Sequence, residues 1–278
     1  MGTGDLLSKF ALRKSREGVV GFSRLLFGLP ILGMAAFIRG VPELTISFWR
    51  ILLVMLPFEL SAYLLYLRAI RIAPLSLTVP FLALTPVFTI VTSWLLLGER
   101  VSLLGAVGIF AVTAGTYLFH LDTALKGWFT PFLSLFQEAG SRSMIFSAFL
   151  YSITSNLGKR AIQFSNPFAF AFLYQILDVF ILFFFVWRSN GGTNTLRKEI
   201  LSQWKIYVLL GPVMALALLA HSVGISRAPV PYFIAIKRMS LVVGVLYGGF
   251  LLKEEKMAQR LIATGLMVLG AGLIALSS

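Results

Sequence analysis

Long apolar segments are the feature of this sequence that most restricts its fold. A helix that crosses a membrane needs roughly 20 mostly apolar residues, and segments of that kind recur along the whole chain. Only 13% of the residues are charged, which leaves too little polar surface for a soluble protein. The sequence therefore predicts an all-α fold, a polytopic membrane helix bundle of about nine transmembrane helices, at about 21–38, 50–69, 74–97, 101–119, 143–158, 167–187, 206–226, 229–252 and 259–276.

One connection divides the chain into two parts of similar length. Residues 120–142 carry Phe129, Phe132 and Phe136 at helical spacing, which is typical of a helix in the membrane interface. A loop with hydrophobic anchors fits the same pattern. The first twenty residues have no apolar core and no small-residue cleavage site, so they do not form a signal peptide. The predicted parts are 1–121, an interfacial linker at 122–142, and 143–278.

The two parts repeat each other. "APLSLTVPFLALTPVFTIVTSWLLLGE" at 73–99 aligns with "APVPYFIAIKRMSLVVGVLYGGFLLKE" at 228–254, at a constant offset of 155. The same offset places Gly115 on Gly270 in the next helix. An odd number of spans in each half would insert the second half inverted, and inverted halves pack around a site near the membrane midplane.

These paired proline-to-glutamate segments resemble the EamA family of the drug/metabolite transporter superfamily, and the resemblance covers almost the whole chain. It implies two EamA repeats within a ten-helix fold, and the export or exchange of small metabolites. Only eight residues precede Lys9, whereas an apolar run precedes its counterpart Lys159. We therefore expect the first repeat to lack most of its first helix.

Ionisable residues inside the spans are the candidate site residues, because a charge at the centre of a spanning helix costs about 2.5–3.5 kcal/mol and usually faces the bundle interior. Tyr63 shares a helix face with Glu59, and Tyr174 and Gln175 share one with Asp178. Arg24 lies near the start of its segment, where its side chain can reach the interface, and is left out. The candidates are Glu59, Asp178, His221, Lys237 and Arg238.

The charged candidates have two interpretations. In the first, Lys237 and Arg238 form static ion pairs with Glu59 and Asp178 that hold the bundle together. In the second, the two cations bind an anionic or zwitterionic substrate, and a carboxylate acts as counter-ion or proton carrier. Buried ion pairs rarely add stability over apolar packing, which favours the second. For His221, helix packing is favoured over a proton switch.

Prolines and terminal glutamates have structural interpretations as well. Pro80 and Pro86 lie inside one predicted span, where they would act either as hinges for alternating access or as packing kinks. Glu99 and Glu254 are each expected at the N-terminus of the helix that follows them, where the helix dipole favours a negative charge.

The predicted function is therefore transport of small metabolites, by an exporter or exchanger that alternates access to a midplane cavity. A non-transporting structural or assembly subunit is the alternative. An intramembrane enzyme is less favoured, because no clustered carboxylates, His-x-x-x-His spacing or nucleotide loop is visible. The sequence predicts no cofactor, no metal and no nucleic-acid partner, and the lipid bilayer and a small molecule as partners.

Charge between the spans predicts the orientation. The side that holds residues 1–20 collects fifteen Lys and Arg residues, against six on the other side. The positive-inside rule then places the N-terminal tail in the cytoplasm and Ser278 outside, whereas the family resemblance implies a cytoplasmic C-terminus. The predicted location is the cell membrane, plasma or inner.

Overall fold

The computed structural model describes residues 7–8, 10–73, 79–120, 138–189, 193–239 and 257–277. All of the regular elements in these ranges are helical. They are α1 (Glu17–Leu26), α2 (Leu29–Arg39), α3 (Ile46–Ile72), a 3₁₀ helix (Val79–Leu84), α4 (Thr85–Leu97), α5 (Leu103–His120), α6 (Ala139–Gln163), α7 (Pro167–Ser189), α8 (Thr193–Ser202), α9 (Trp204–Ile225), α10 (Val230–Lys237) and α11 (Met257–Ser277).

The predicted membrane helix bundle is confirmed. Every predicted span has a helix at its position, although residues 240–256 and most of the predicted linker lie outside the described residues. Within the described ranges, four helical segments could cross a membrane by length and composition alone: Glu17–Arg39, Ile46–Ile72, Pro167–Arg188 and Trp204–Ile225. Shorter apolar helices occupy Phe81–Leu97, Leu103–Leu118 and Ile262–Ser277.

Local chemistry sets several of the helix ends. Asn166 precedes α7, and its side-chain oxygen accepts hydrogen bonds from the backbone N–H groups of Phe168 and Ala169, at 3.0 and 2.8 Å. Pro167 follows at the first helical position, where its missing N–H has no cost. Gly98 ends α4 at φ +69°, a conformation that glycine adopts without steric strain.

The described helices form two compact units, and each unit draws on both halves of the sequence. The first unit combines residues 1–71 with 157–227, and the second combines 72–156 with 228–278. In the first unit, α7 packs against α1, α2 and α9. In the second, α10 packs against α4 and α5, and α5 packs against α11. The sequence repeat therefore does not produce two separate domains.

Glycines allow α5 and α11 to approach closely in the second unit. A Cβ atom added at Gly108 would lie 2.7 Å from the Gly270 carbonyl oxygen, and one added at Gly115 would lie 2.6 Å from the Ala263 carbonyl oxygen. Such contacts are shorter than van der Waals separation, so only glycine fits. Gly115 and Gly270 are equivalent in the repeat, which means that corresponding helices of the two halves pack against each other.

Candidate functional site

The two repeated segments that begin with Ala-Pro, at 73–99 and 228–254, change their backbone structure at the same place in the repeat. In the first half, the 3₁₀ helix Val79–Leu84 gives way to α4 at Thr85. In the second half, α10 ends at Lys237 and residues 238 and 239 form a turn. The offset of 155 places Leu82 on Lys237 and Leu84 on Met239. The sequence predicts one long helix over 229–252; the described helix α10 ends at Lys237, and residues 240–252 lie outside the described residues.

The proline at 86 explains the interruption in the first half. In a continuous α-helix the N–H of residue 86 would bond to the Leu82 carbonyl, and proline has no N–H to donate. The Leu82 oxygen instead accepts hydrogen bonds from the Thr85 hydroxyl at 2.8 Å and from the Arg238 guanidinium at 2.7 Å. Arg238 therefore links the end of α10 to the equivalent interruption in the first half, within one unit.

Lys237 is the last residue of α10 and is partly buried. Its backbone precedes the turn, so the two cations flank the point at which the helix ends. Pro80 belongs to the 3₁₀ helix, and Pro86 is near the start of α4. The structure therefore gathers Pro86, Lys237 and Arg238 along the paired interruption of the second unit.

Glu99 stabilises the other end of α10. Its carboxylate accepts a hydrogen bond from the Val230 backbone N–H at 2.8 Å, at the first residue of that helix, and another from the Ser93 hydroxyl. The expected interaction with a helix dipole is present. The bond joins Glu99 to the first residue of α10, which the sequence did not indicate, because α10 packs beside α4 in the fold. Glu254 lies outside the described residues.

A second group of candidates meets in the first unit. Asp178 lies in the middle of α7 and is 3% exposed. Tyr174, one turn earlier, lies within hydrogen-bonding reach of both the Asp178 and the Glu59 carboxyl groups. Tyr63 follows Glu59 by one turn on α3 and interacts electrostatically with both carboxyl groups. The side of α3 that carries Glu59 therefore lies opposite the side of α7 that carries Asp178.

Among the described residues, the groups that interact with the Asp178 carboxyl are Glu59 and Tyr174, and neither is a cation. The Asp178 Oδ1 atom is buried and receives no hydrogen bond from the described residues. A buried carboxyl oxygen without a donor is energetically costly, so this group is suited to holding a proton or a cationic group.

Arg24, which the sequence analysis left out, lies beside the same cluster. Its guanidinium carbon is 4.5 Å from the centre of the Tyr63 ring, and its Nη1 atom donates to the Ser8 hydroxyl at 3.4 Å. The sequence analysis placed Arg24 near the start of its predicted span, but the structure places it in the last turn of α1, and nothing in the sequence pairs α1 with α3. Only the tertiary packing shows that Arg24 contacts Tyr63.

Gln175 bonds to the backbone where α1 meets α2. Its side-chain nitrogen donates to the Leu25 carbonyl at 2.8 Å, and the side chain is 3% exposed. The chain is crowded here, since a Cβ atom at Gly28 would lie 2.8 Å from that same nitrogen. Gln175 therefore stabilises a bend in the first span. His221 lies on α9 of the same unit and is partly buried.

The predicted site residues thus form two sets. Glu59, Tyr63, Tyr174 and Asp178 meet in the first unit, with Gln175 beside them on α7 and His221 on α9. Lys237 and Arg238 belong to the second unit with Pro80 and Pro86.

Comparison with known proteins agrees with this architecture. A solved structure titled only "Crystal structure of protein" superimposes with a TM-score of 0.69 over 99% of this chain and 94% of that one, at 19% identity, which shows a shared fold. No curated protein matches the chain. The sequence model of the EamA-like transporter family matches residues 1–121 and 140–276. The chain is a multi-pass membrane protein that belongs to the EamA-like transporter family.

Proposed function

We propose that this protein carries a small metabolite across the cell membrane by alternating access, as an exporter or exchanger. The observation that carries the proposal is the change of backbone structure at equivalent positions of the two halves, at Leu82–Thr85 and at Lys237–Met239. In secondary transporters built from repeats, helices interrupted at corresponding positions of the two halves form the substrate site. The two positions are bonded to each other through Arg238 and Leu82.

The charges at the interruption favour an anionic or zwitterionic substrate. Lys237 and Arg238 are adjacent cations at the end of α10, and an anion beside them would offset the cost of keeping them within the membrane. Arg238 donates to the Leu82 carbonyl, and we assign substrate contact first to Lys237, the last residue of α10. In this proposal the Glu59 and Asp178 carboxylates act as counter-ions or as proton carriers.

Reconstituted protein tests the proposal. Purified protein in liposomes would be screened for uptake of labelled dicarboxylates, amino acids and primary amines. We expect flux of a substrate that carries a carboxylate, reduced at least about tenfold by Lys237→Ala, with the thermal midpoint in detergent nearly unchanged. Lys205→Ala is the matched control, because Lys205 is exposed at the start of α9, and its flux should equal that of the wild type.

Asp178→Asn examines the counter-ion role in the same liposomes. We expect it to abolish the dependence of flux on a proton gradient, and Glu43→Gln, at an exposed position between α2 and α3, to leave that dependence intact. A Lys237→Ala protein that melts at a much lower temperature, and recovers flux when Asp178 is also neutralised, would identify a static ion pair instead. Uptake of none of the three compound classes would contradict the proposed substrate class.

A further inference from the structure

A basic cleft lies at one end of the first unit, away from the candidate site. It has a volume of about 250 Å³ and is lined by Arg13, Lys14, Arg16 and Arg71, with Ser15 and Glu199. Four cations against one carboxylate leave a formal charge of +3 along its wall. Counting Glu17, which bonds to Arg71 at 2.6 Å, leaves +2.

Hydrogen bonds hold the backbone segment that lines this cleft in place. The Gln203 side-chain nitrogen donates to the Ser15 hydroxyl at 2.6 Å and to the Ala11 carbonyl at 3.1 Å. Both Ser15 and Gln203 are buried. The segment that carries Arg13 and Lys14 is therefore tied to the start of α9, whereas the Arg13 and Lys14 side chains themselves are exposed.

Glu199 does not neutralise the positive charge of the cleft. Glu199 forms no ion pair among the described residues, and its buried Oε2 atom receives no hydrogen bond from them. The Arg13 guanidinium lies over the face of Phe10, at 5.2 Å from the ring centre. Arg13 and Lys14 are exposed neighbours in the chain, so both can donate to an anion that has more than one oxygen.

The cleft lies where the spans of this unit meet one membrane surface. Arg13 to Arg16 directly precede α1, Arg71 is the last residue but one of α3, and Glu199 precedes α9 by a few residues. Phe10 is 44% exposed and Trp204 is 48% exposed, as expected of side chains at the lipid–water interface. By the charge count this surface is cytoplasmic, where anionic lipids concentrate.

We propose that this cleft binds a phosphate group, and that a phospholipid headgroup is the source that its surroundings favour. Arg and Lys side chains are the usual partners of phosphate oxygens, and basic pockets between spanning helices on the cytoplasmic side accept lipid headgroups. None of the residues that line the cleft is one to which we assign the transported molecule.

Titration of the purified full chain in a neutral detergent tests this site. Dioctanoyl phosphatidylglycerol, inorganic phosphate and dioctanoyl phosphatidylcholine would be added separately, with tryptophan fluorescence and the thermal midpoint as readouts. We expect the anionic lipid to bind and to raise the midpoint. The double variant Arg13→Gln/Lys14→Gln should bind it at least about tenfold more weakly, and should melt like the wild type when no ligand is present.

The matched control is Arg197→Gln/Lys198→Gln, which removes the same charge from exposed positions of α8 outside the cleft, and should bind like the wild type. Glu199→Gln should tighten binding, because it removes the one negative charge of the wall. If inorganic phosphate binds as well as the lipid does, the site is a phosphate site with a soluble ligand. Equal weakening in both double variants, or no binding of either anion, would overturn the proposal.

Discussion

A proline within a helix leaves the carbonyl four residues earlier without its N–H partner, and in this protein a side chain from a distant helix bonds to one such carbonyl. The Leu82 carbonyl, which Pro86 deprives of an N–H donor, accepts from Arg238. At the bend between α1 and α2, the Leu25 carbonyl accepts from the Gly28 N–H and also from Gln175. Polar side chains inside a membrane bundle can thus satisfy bent backbone, and need not contact a substrate.

Arg238→Met tests this role directly. It removes a charged donor from the Leu82 carbonyl and keeps most of the side-chain volume, so we expect a loss of stability of about 1–3 kcal/mol, measured by thermal or denaturant unfolding in detergent. Arg227→Met, at an exposed position before α10, should change stability little. An Arg238→Met protein of wild-type stability that no longer transports would assign Arg238 to the substrate instead.

At the scale of elements, the contact between α5 and α11 depends on the absence of side chains at the crossing. A Cβ atom at Gly270 would lie 2.6 Å from the Gly108 carbonyl oxygen and 2.8 Å from the Val112 nitrogen. Both of these are backbone atoms, so they cannot move aside without separating the helices. The two repeat-related helices consequently tolerate no added carbon at this position.

Gly270→Ala should therefore destabilise the protein by about 1–3 kcal/mol, the usual cost of overpacking. Gly272→Ala is the control on the same helix, because a Cβ atom there meets nothing within 4 Å, and alanine favours the helix by about 0.5–1 kcal/mol over glycine. Thermal unfolding in one detergent compares them. Opposite signs support the packing described, and a Gly270→Ala protein as stable as Gly272→Ala would contradict it.

The elements themselves were predictable, because length and apolar content are properties of each segment alone. The predicted spans at about 50–69 and 206–226 became α3 and α9 with ends displaced by a few residues. Pairings between helices were not predictable in the same way. Neither the Glu99–Val230 bond nor the contact of Arg24 with Tyr63 has a local signal, since each joins residues that only the packing brings together.

For the whole molecule, the repeat predicted which helices of the two halves correspond, but not how the halves combine. Each compact unit takes helices from both halves, so the carboxylate cluster contains Glu59 from the first half and Asp178 from the second. Sequence alone grouped all the charged candidates into one site. The structure places the carboxylates in the first unit and the cations in the second, and their joint action remains our proposal.

Orientation in the membrane is the remaining prediction at this scale. Fifteen Lys and Arg residues on the side of the N-terminal tail, against six on the other, place that tail in the cytoplasm, because positive loops are retained there. The four cations of the basic cleft are among these fifteen residues. With nine spans, Ser278 then lies outside.

A fluorescent protein that folds only in the cytoplasm should stay dark when fused after Ser278, and an alkaline phosphatase fused there should be active. A fusion after Arg188, on the basic side, should give the reverse pattern and serves as the control. Fluorescence from both fusion points would instead place the C-terminus in the cytoplasm, as the family resemblance implies, and would require an even number of spans between the tail and Ser278.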